Sequence, residues 1–180
     1  ENSGIRDYDN DGKLEYMSGS AQEIEIKFIV CSDSSAKTGV VRKFASDMET
    51  LGLTVNVQEL TWENYLQALE DGDFDMYYGE VKLRNNFDVT ELLDPDSDLN
   101  YSRGKDSSFV GYINDYLAAG DTARSAMFQQ LCQYIAGTGS LISIGFETHQ
   151  CISHRGVIKG INPNAGNPLY DFPNWEIMLD

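Results

Sequence analysis

Apolar and polar residues alternate from Gln22 to Cys31, with Ile24 and Ile26 leading into Phe28, Ile29 and Val30, which predicts a strand entering a core. Ser32-Asp33-Ser34-Ser35 follows and offers capping side chains for a helix reaching Thr50, its apolar stripe being Val40, Val41, Phe44, Met48 and Leu51. Gly52 is placed to stop that helix, and Leu53 to Leu60 alternates again with Leu53, Val55 and Val57 inward. Thr61 caps a second helix, Trp62 to Leu69, and Asp71-Gly72-Asp73 turns the chain into a third strand starting at Phe74. A β-α-β-α-β order this tightly spaced predicts a parallel sheet with right-handed crossovers.

The run Phe74 to Leu83 passes from apolar to charged, as a strand does when it leaves a core for a binding edge. Beyond it, residues 85–104 are polar and carry one short predicted helix, Val89 to Leu93. Helices are predicted from Ser108 to Ala119 and from Thr122 to Ala136, then a strand from Ser140 to Thr148 with a hairpin-like return through Ile152. The tail holds an aromatic cluster of Tyr170, Phe172 and Trp175. At the other end Glu1 to Ala21 is polar, and Ser18-Gly19-Ser20 has the composition of a loose connection.

At 180 residues the chain can bury a real core, as one large domain or a domain with an extension. Thirteen basic residues against 29 acidic ones give a net charge of −16, which argues against polyanionic partners such as nucleic acid or an anionic membrane surface. No apolar run is long enough for a transmembrane helix. The chain begins at Glu1 with no apolar leader or lipid-attachment cysteine, as a mature product or an excised piece would. The cysteines, Cys31, Cys132 and Cys151, are odd in number and lack CxxC spacing, so they form no simple disulfide framework. Cys132 is expected on an apolar helix face as a small core residue, while Cys31 and Cys151 both fall near strand ends and could pair. His149 and His154 make no metal-ligand pattern.

Three groups of residues carry candidate chemistry. Asp7-Tyr8-Asp9-Asn10-Asp11-Gly12 matches the first half of a calcium loop, with oxygen ligands Asp7, Asp9 and Asp11 at the first, third and fifth positions. The twelfth position is Ser18, where a closing Glu belongs, so an acidic turn held by its own Asp and Gly chemistry is the alternative. Ser32, Asp33 and Ser34 stand at a strand end before a helix N-terminus, a mildly anion-attracting place that pure capping would also explain. Strand periodicity would put Tyr78, Glu80, Lys82 and Arg84 on one face, either solvated beyond the sheet or lining a cleft that reads a polar ligand, with Gly79 allowing close backbone approach. No nucleophile set or phosphate loop can be assembled, so no enzyme is expected and no cofactor beyond that calcium reading.

Taken in order, these segments resemble the second lobe of the family 5 extracellular solute-binding proteins, the oligopeptide and dipeptide receptors of ABC transporters. Asp9-Asn10-Asp11-Gly12-Lys13-Leu14-Glu15 resembles the family's acidic turn. Ile26 to Leu53, through Val40-Val41-Arg42-Lys43-Phe44 and Leu51-Gly52-Leu53, resembles its strand, helix and return. Tyr65, Leu69 and Gly72-Asp73-Phe74-Asp75-Met76 resemble the next helix and strand; Asn114 to Leu117, Leu141 to Ile144 and Gly156 to Gly160 complete the order. The resemblance implies an α/β lobe of the periplasmic-binding-protein type II architecture, with a mixed, largely parallel sheet flanked by helices. Residues 1–20 would be an acidic turn and linker from a first lobe, and 21–180 the second lobe. It also implies capture of a peptide or other polar solute by hinge closure, delivery to an ABC permease, a monomer, and an extracytoplasmic setting, periplasmic or lipid-anchored at the cell surface. Peptide-binding members carry a Gly-Trp and, three residues past the Trp, an Asp for the peptide's amino group. Here Leu83 or Arg84 stands at that Asp position, so Lys82 and Arg84 are expected to attract an anionic group instead, with Glu80 balancing them. A sensing domain of a regulator and a calcium-stabilised interaction module are the rival expectations.

Overall fold

The computed structural model describes residues 4–83, 88–103, 108–146, 150–164 and 166–178. The chain divides into two units, Glu1–Val81 and Lys82–Asp180.

The first unit is built on a parallel sheet of β4 (Glu25–Cys31), β5 (Thr54–Leu60) and β6 (Met76–Tyr77), in the order β5-β4-β6. Strand β4 is paired with β5 along its whole length, from Glu25↔Thr54 to Cys31↔Leu60. Helix α1 (Ser35–Glu49) packs on β4 and β5, and its Val41 and Ala45 close a core with Phe28, Val30 and Val55, edged by Ile26, Phe44, Met48, Val57, Met76 and Tyr78. The alternate residues Ile29 and Cys31 are also buried, as are Tyr65 and Leu69 of α2 (Trp62–Asp71), which packs against the same two strands. A middle strand buried on both faces explains the unbroken apolar run Phe28 to Cys31. The stripe of α1 is narrower than its sequence implied, since Val40 is 38% exposed and Leu51 is 61% exposed.

Both helices end where glycine permits a left-handed residue. Gly52 (φ 86°) donates to the Glu49 carbonyl and Leu53 to that of Met48, while Gly72 (φ 70°) and Asp73 do the same for Leu69 and Ala68. These are paired Schellman bonds, which satisfy the last helical carbonyls.

The third strand is far shorter than the run Phe74 to Leu83 predicts. Only Met76 and Tyr77 pair, with Phe28 and Ile29. Ahead of them Asp75 takes over the ladder: its carboxylate accepts from the Lys27 amide at 2.8 Å, and its own amide donates to the Lys27 carbonyl at 2.9 Å. After a last bond from the Tyr78 amide to the Ile29 carbonyl the chain leaves the sheet, and Gly79 and Glu80 are exposed.

The amino-terminal segment is ordered rather than loose. β1 (Ile5–Arg6), β2 (Glu15–Ser18) and β3 (Ser20–Glu23) form an antiparallel meander, and Gly19, at φ 78°, makes the tight β2–β3 turn. The meander is tied to the unit by the Leu14 amide donating to the Gly52 carbonyl at 2.7 Å.

In the second unit α3 (Thr90–Leu93) precedes α4 (Ser108–Ala118) and α5 (Asp121–Thr138), which pack together over Phe109, Ile113, Tyr116 and Leu131. The buried face of α5 runs through Met127, Leu131, Tyr134 and Ile135, so Cys132 falls beside it and is exposed, not a core residue. All three thiols are free, Cys31 buried and Cys151 exposed, so the pairing considered for those two is not made. Residues 140–146 form no strand, and Ile142, Ile144 and Phe146 are exposed. The rest of that expected strand, residues 147–149 with His149, lies outside the described residues. β7 (Ile158–Lys159) pairs with β8 (Glu176–Ile177), and Phe172 meets Trp175 edge-on at 5.3 Å.

Candidate binding edge

The strand order makes β4 the place where successive crossovers reverse direction: α1 carries the chain to β5, and α2 brings it back past β4 to β6. In open α/β sheets, ligands bind outside the carboxyl ends of the strands at such a reversal. Two of the three sequence-based groups meet there, Ser32-Asp33-Ser34 after β4 and Tyr78-Gly79-Glu80 after β6.

Their meeting point is a residue that the sequence alone did not single out. Lys37, in the first turn of α1, donates to both oxygens of Asp33 at 3.1 and 3.2 Å and to Glu80 at 3.0 Å. Its side chain is only 19% exposed, whereas those of Asp33 and Glu80 are 49% and 60% exposed. The hydrogen bond to Glu80 is the largest influence holding the Lys37 ammonium above the ordinary 10.5; burial opposes it and Asp33 adds to it. One signal was visible beforehand, the i,i+4 spacing of Asp33 and Lys37; the link to Glu80 spans two crossovers and leaves no local trace.

Around this triad the backbone is prepared for polar contacts. The Ser32 amide donates to the Leu60 carbonyl at 2.8 Å, fixing the loop after β4 against the end of β5. Ser34 occupies the N-cap position of α1 in extended geometry but makes no side-chain cap, and no acid stands in the first helical turn. The capping expected of Ser32 to Ser35 is therefore not what the Ser34 hydroxyl does. Thr61 of α2 does cap, accepting from the Asn64 amide. Tyr65, buried in α2, donates its phenol proton to the Tyr78 carbonyl at 2.8 Å and pins the loop after β6. Gly79 is exposed, and a Cβ there would lie 3.0 Å from the Tyr77 ring.

The cationic half of the expected site is not assembled in this way. Because β6 stops at Tyr77, no strand face carries Tyr78, Glu80 and Lys82 together. Lys82 is exposed at the start of the second unit, and Arg84 lies outside the described residues. Glu80 balances Lys37 instead.

The acidic turn between β1 and β2 is brought together, and more fully than predicted. Asp7, Asp9 and Asp11 are joined by Glu15, 3% exposed, with one carboxylate oxygen from each within 4.8 Å of the others. These are the residues that could hold a hard divalent cation. Their oxygens also accept from backbone amides of the turn: Asp7 from Asn10 and Gly12, Asp9 from Asp11, Asp11 from Lys13, and Glu15 from Tyr8. The turn is thus held by its own Asx chemistry, and Glu15 on β2 takes a place that the twelfth loop residue, Ser18, does not.

No protein-family model and no curated protein matches the sequence. Solved structures do. The oligopeptide-binding protein AppA of Bacillus subtilis, in complex with a nonapeptide, superposes with a TM-score of 0.66 at 15% identity, covering 98% of this chain and 36% of that one. This is the fold of a type II periplasmic-binding-protein lobe. A periplasmic oligopeptide-binding protein of Thermotoga maritima with bound mannohexaose is similar to this lobe over 92% of it and 32% of that chain, with a TM-score of 0.69 at 15% identity. NikA of Brucella suis with Fe(III)-EDTA matches 74% of the lobe and 28% of that chain, with a TM-score of 0.59 at 15% identity. The chain therefore spans about a third of the length of these structures. Among the described residues no helix is long and apolar enough to cross a membrane.

Proposed function

We propose that this chain is the second lobe of a family 5 solute-binding protein and captures its solute, an oligopeptide, without chemical change. The supporting observation is the Asp33–Lys37–Glu80 triad, which joins the loops after β4 and β6 at the strand ends where this sheet type binds ligands. A peptide suits this edge because β6 is the outer strand of its sheet, and after the half-buried Tyr78 the chain leaves it with Gly79 and Glu80 exposed. An outer strand can pair with the main chain of a peptide, while side chains select among sequences. In this reading residues 21–180 are the lobe and 1–20 lead in from a first lobe, whose hinge closure completes the enclosure. An ABC permease receives the solute outside the cytoplasm from a monomeric receptor, lipid-anchored or periplasmic.

Neighbours carrying a nonapeptide, mannohexaose and a metal chelate support solute capture across the fold. Native mass spectrometry of the protein as its host makes it tests the reading. Peptide masses released on activation, and lost from a Lys37→Glu variant that still folds, are expected. A protein that carries no solute and binds no member of a defined peptide pool overturns it.

A further inference from the structure

The carboxyl edge of the sheet carries an aromatic group that solute capture through the triad leaves unused. Trp62 is the first residue of α2, so it stands just past the end of β5, beside the Ser32 loop bonded to Leu60. It is 60% exposed, a large apolar area to leave in water. It is not a loose side chain, however. One face of the indole lies on the ring of Tyr65, with centroids 6.0 Å apart and planes at 28°. Tyr65 is 5% exposed and its hydroxyl donates to the Tyr78 carbonyl at 2.8 Å. The sequence Trp62–Tyr65–Tyr78 therefore joins the ends of β5 and β6 as the ionic triad joins those of β4 and β6. A ring backed by a buried tyrosine, itself bonded to the loop after β6, has already lost much of its freedom, so binding on its outer face costs little further ordering.

We propose that Trp62 is a stacking platform of the binding edge and receives a flat apolar side chain, aromatic or proline, of the peptide ligand. This rests on the reading of that edge as a peptide-binding rim. The carboxylates of Asp33 and Glu80 and the open first turn of α1 are polar, so the indole is the feature there that selects for apolar flat groups.

The chain contains 2 tryptophans, so a Trp175→Phe variant reports on Trp62 alone. It would be titrated with an alanine peptide carrying one phenylalanine, the all-alanine peptide of equal length, and mannohexaose, by fluorescence and by calorimetry. The phenylalanine peptide is expected to shift indole emission to the blue and to bind about tenfold more tightly than the alanine peptide. Trp62→Ala should abolish that preference and Trp62→Phe should retain most of it, with unchanged circular dichroism in both. Binding that depends on Lys37 but shows no preference, or a preference surviving Trp62→Ala, overturns the platform and leaves the rim intact. Emission that responds to mannohexaose and not to peptide overturns the peptide assignment. Calorimetry showing no binding of any probe overturns the rim and the platform together.

Discussion

At Gly52 a helix stop and the acidic turn meet in one residue. Its φ of 86° is left-handed, and a Cβ there would sit 2.8 Å from the Gly12 carbonyl oxygen and 3.2 Å from the Leu14 side chain. The obstacle is backbone, so a side chain cannot simply move aside. Gly52→Ala should lose about 1–3 kcal/mol, measured as a lower urea midpoint with an unchanged slope. The sequence showed the glycine as a helix terminator; that its other side carries the Leu14 hydrogen bond could not be seen, because residues 12–14 have no apolar periodicity to mark them as neighbours. Lys37 offers a second residue-level test. Its ammonium is held above 10.5 by Glu80 and Asp33, so the folded state keeps a proton that the unfolded chain releases earlier. The stabilisation is complete below pH 10.5 and fades as pH rises through the higher folded value. The stability gap between wild type and Lys37→Met, about 1 kcal/mol at neutral pH for a pair of partly exposed bridges, should therefore close in strongly alkaline buffer. A gap constant across that range would mean that packing of the lysine stem, not its charge, holds the loops.

Among the elements, those legible in the sequence carried their own evidence. β4, α1, β5 and α2 each combine a clear period with a start or stop residue, and each formed within two or three residues of its expected bounds. The failures share a cause, dependence on a distant partner. β6 has the composition of a ten-residue strand, yet only Met76 and Tyr77 pair, with Phe28 and Ile29 of β4. Residues 140–146 alternate well, but alternation makes a strand only where another strand accepts it. The meander from Ile5 to Glu23 is the reverse case: polar on most faces, and fixed by Gly19 and by carboxylates bonding amides. Helix α5 shows how narrow a face can be. Leu131 is 1% exposed and its neighbour Cys132 is exposed, so Leu131→Ala should cost about 2–5 kcal/mol while Cys132→Ala changes stability little. Thiol labelling of the native chain checks the same assignment: Cys132 and Cys151 should react at once, and Cys31 only on unfolding. Rapid reaction of all three would remove Cys31 from the core.

For the whole molecule the dominant long-range term is charge. An excess of acid, 29 carboxylates against 13 basic groups, leaves −16 to be held in a small volume. The bridges that relieve it are mostly exposed, such as Lys13–Glu23 with side chains 46% and 47% exposed and Lys43–Asp47 with 73% and 54%, and exposed pairs contribute little. Screening therefore has opposite effects of unequal size: it weakens a few short-range attractions and relaxes many long-range repulsions. Raising ionic strength from about 0.01 M to about 0.15 M shortens the Debye length from roughly 30 Å to roughly 8 Å, which removes repulsion across the chain and leaves contacts near 3 Å largely in place. The melting temperature should rise by several degrees over that interval with a neutral salt such as sodium chloride. Under the proposed capture of peptides the same charge bears on solute choice, since a field of this sign repels anionic peptides at a distance and favours neutral or cationic ones before any contact is made. The association rate of a lysine-bearing peptide should accordingly fall as salt is added, while that of its glutamate counterpart should rise, and equal salt dependence for the two would show that the global field does not steer solute to the binding edge.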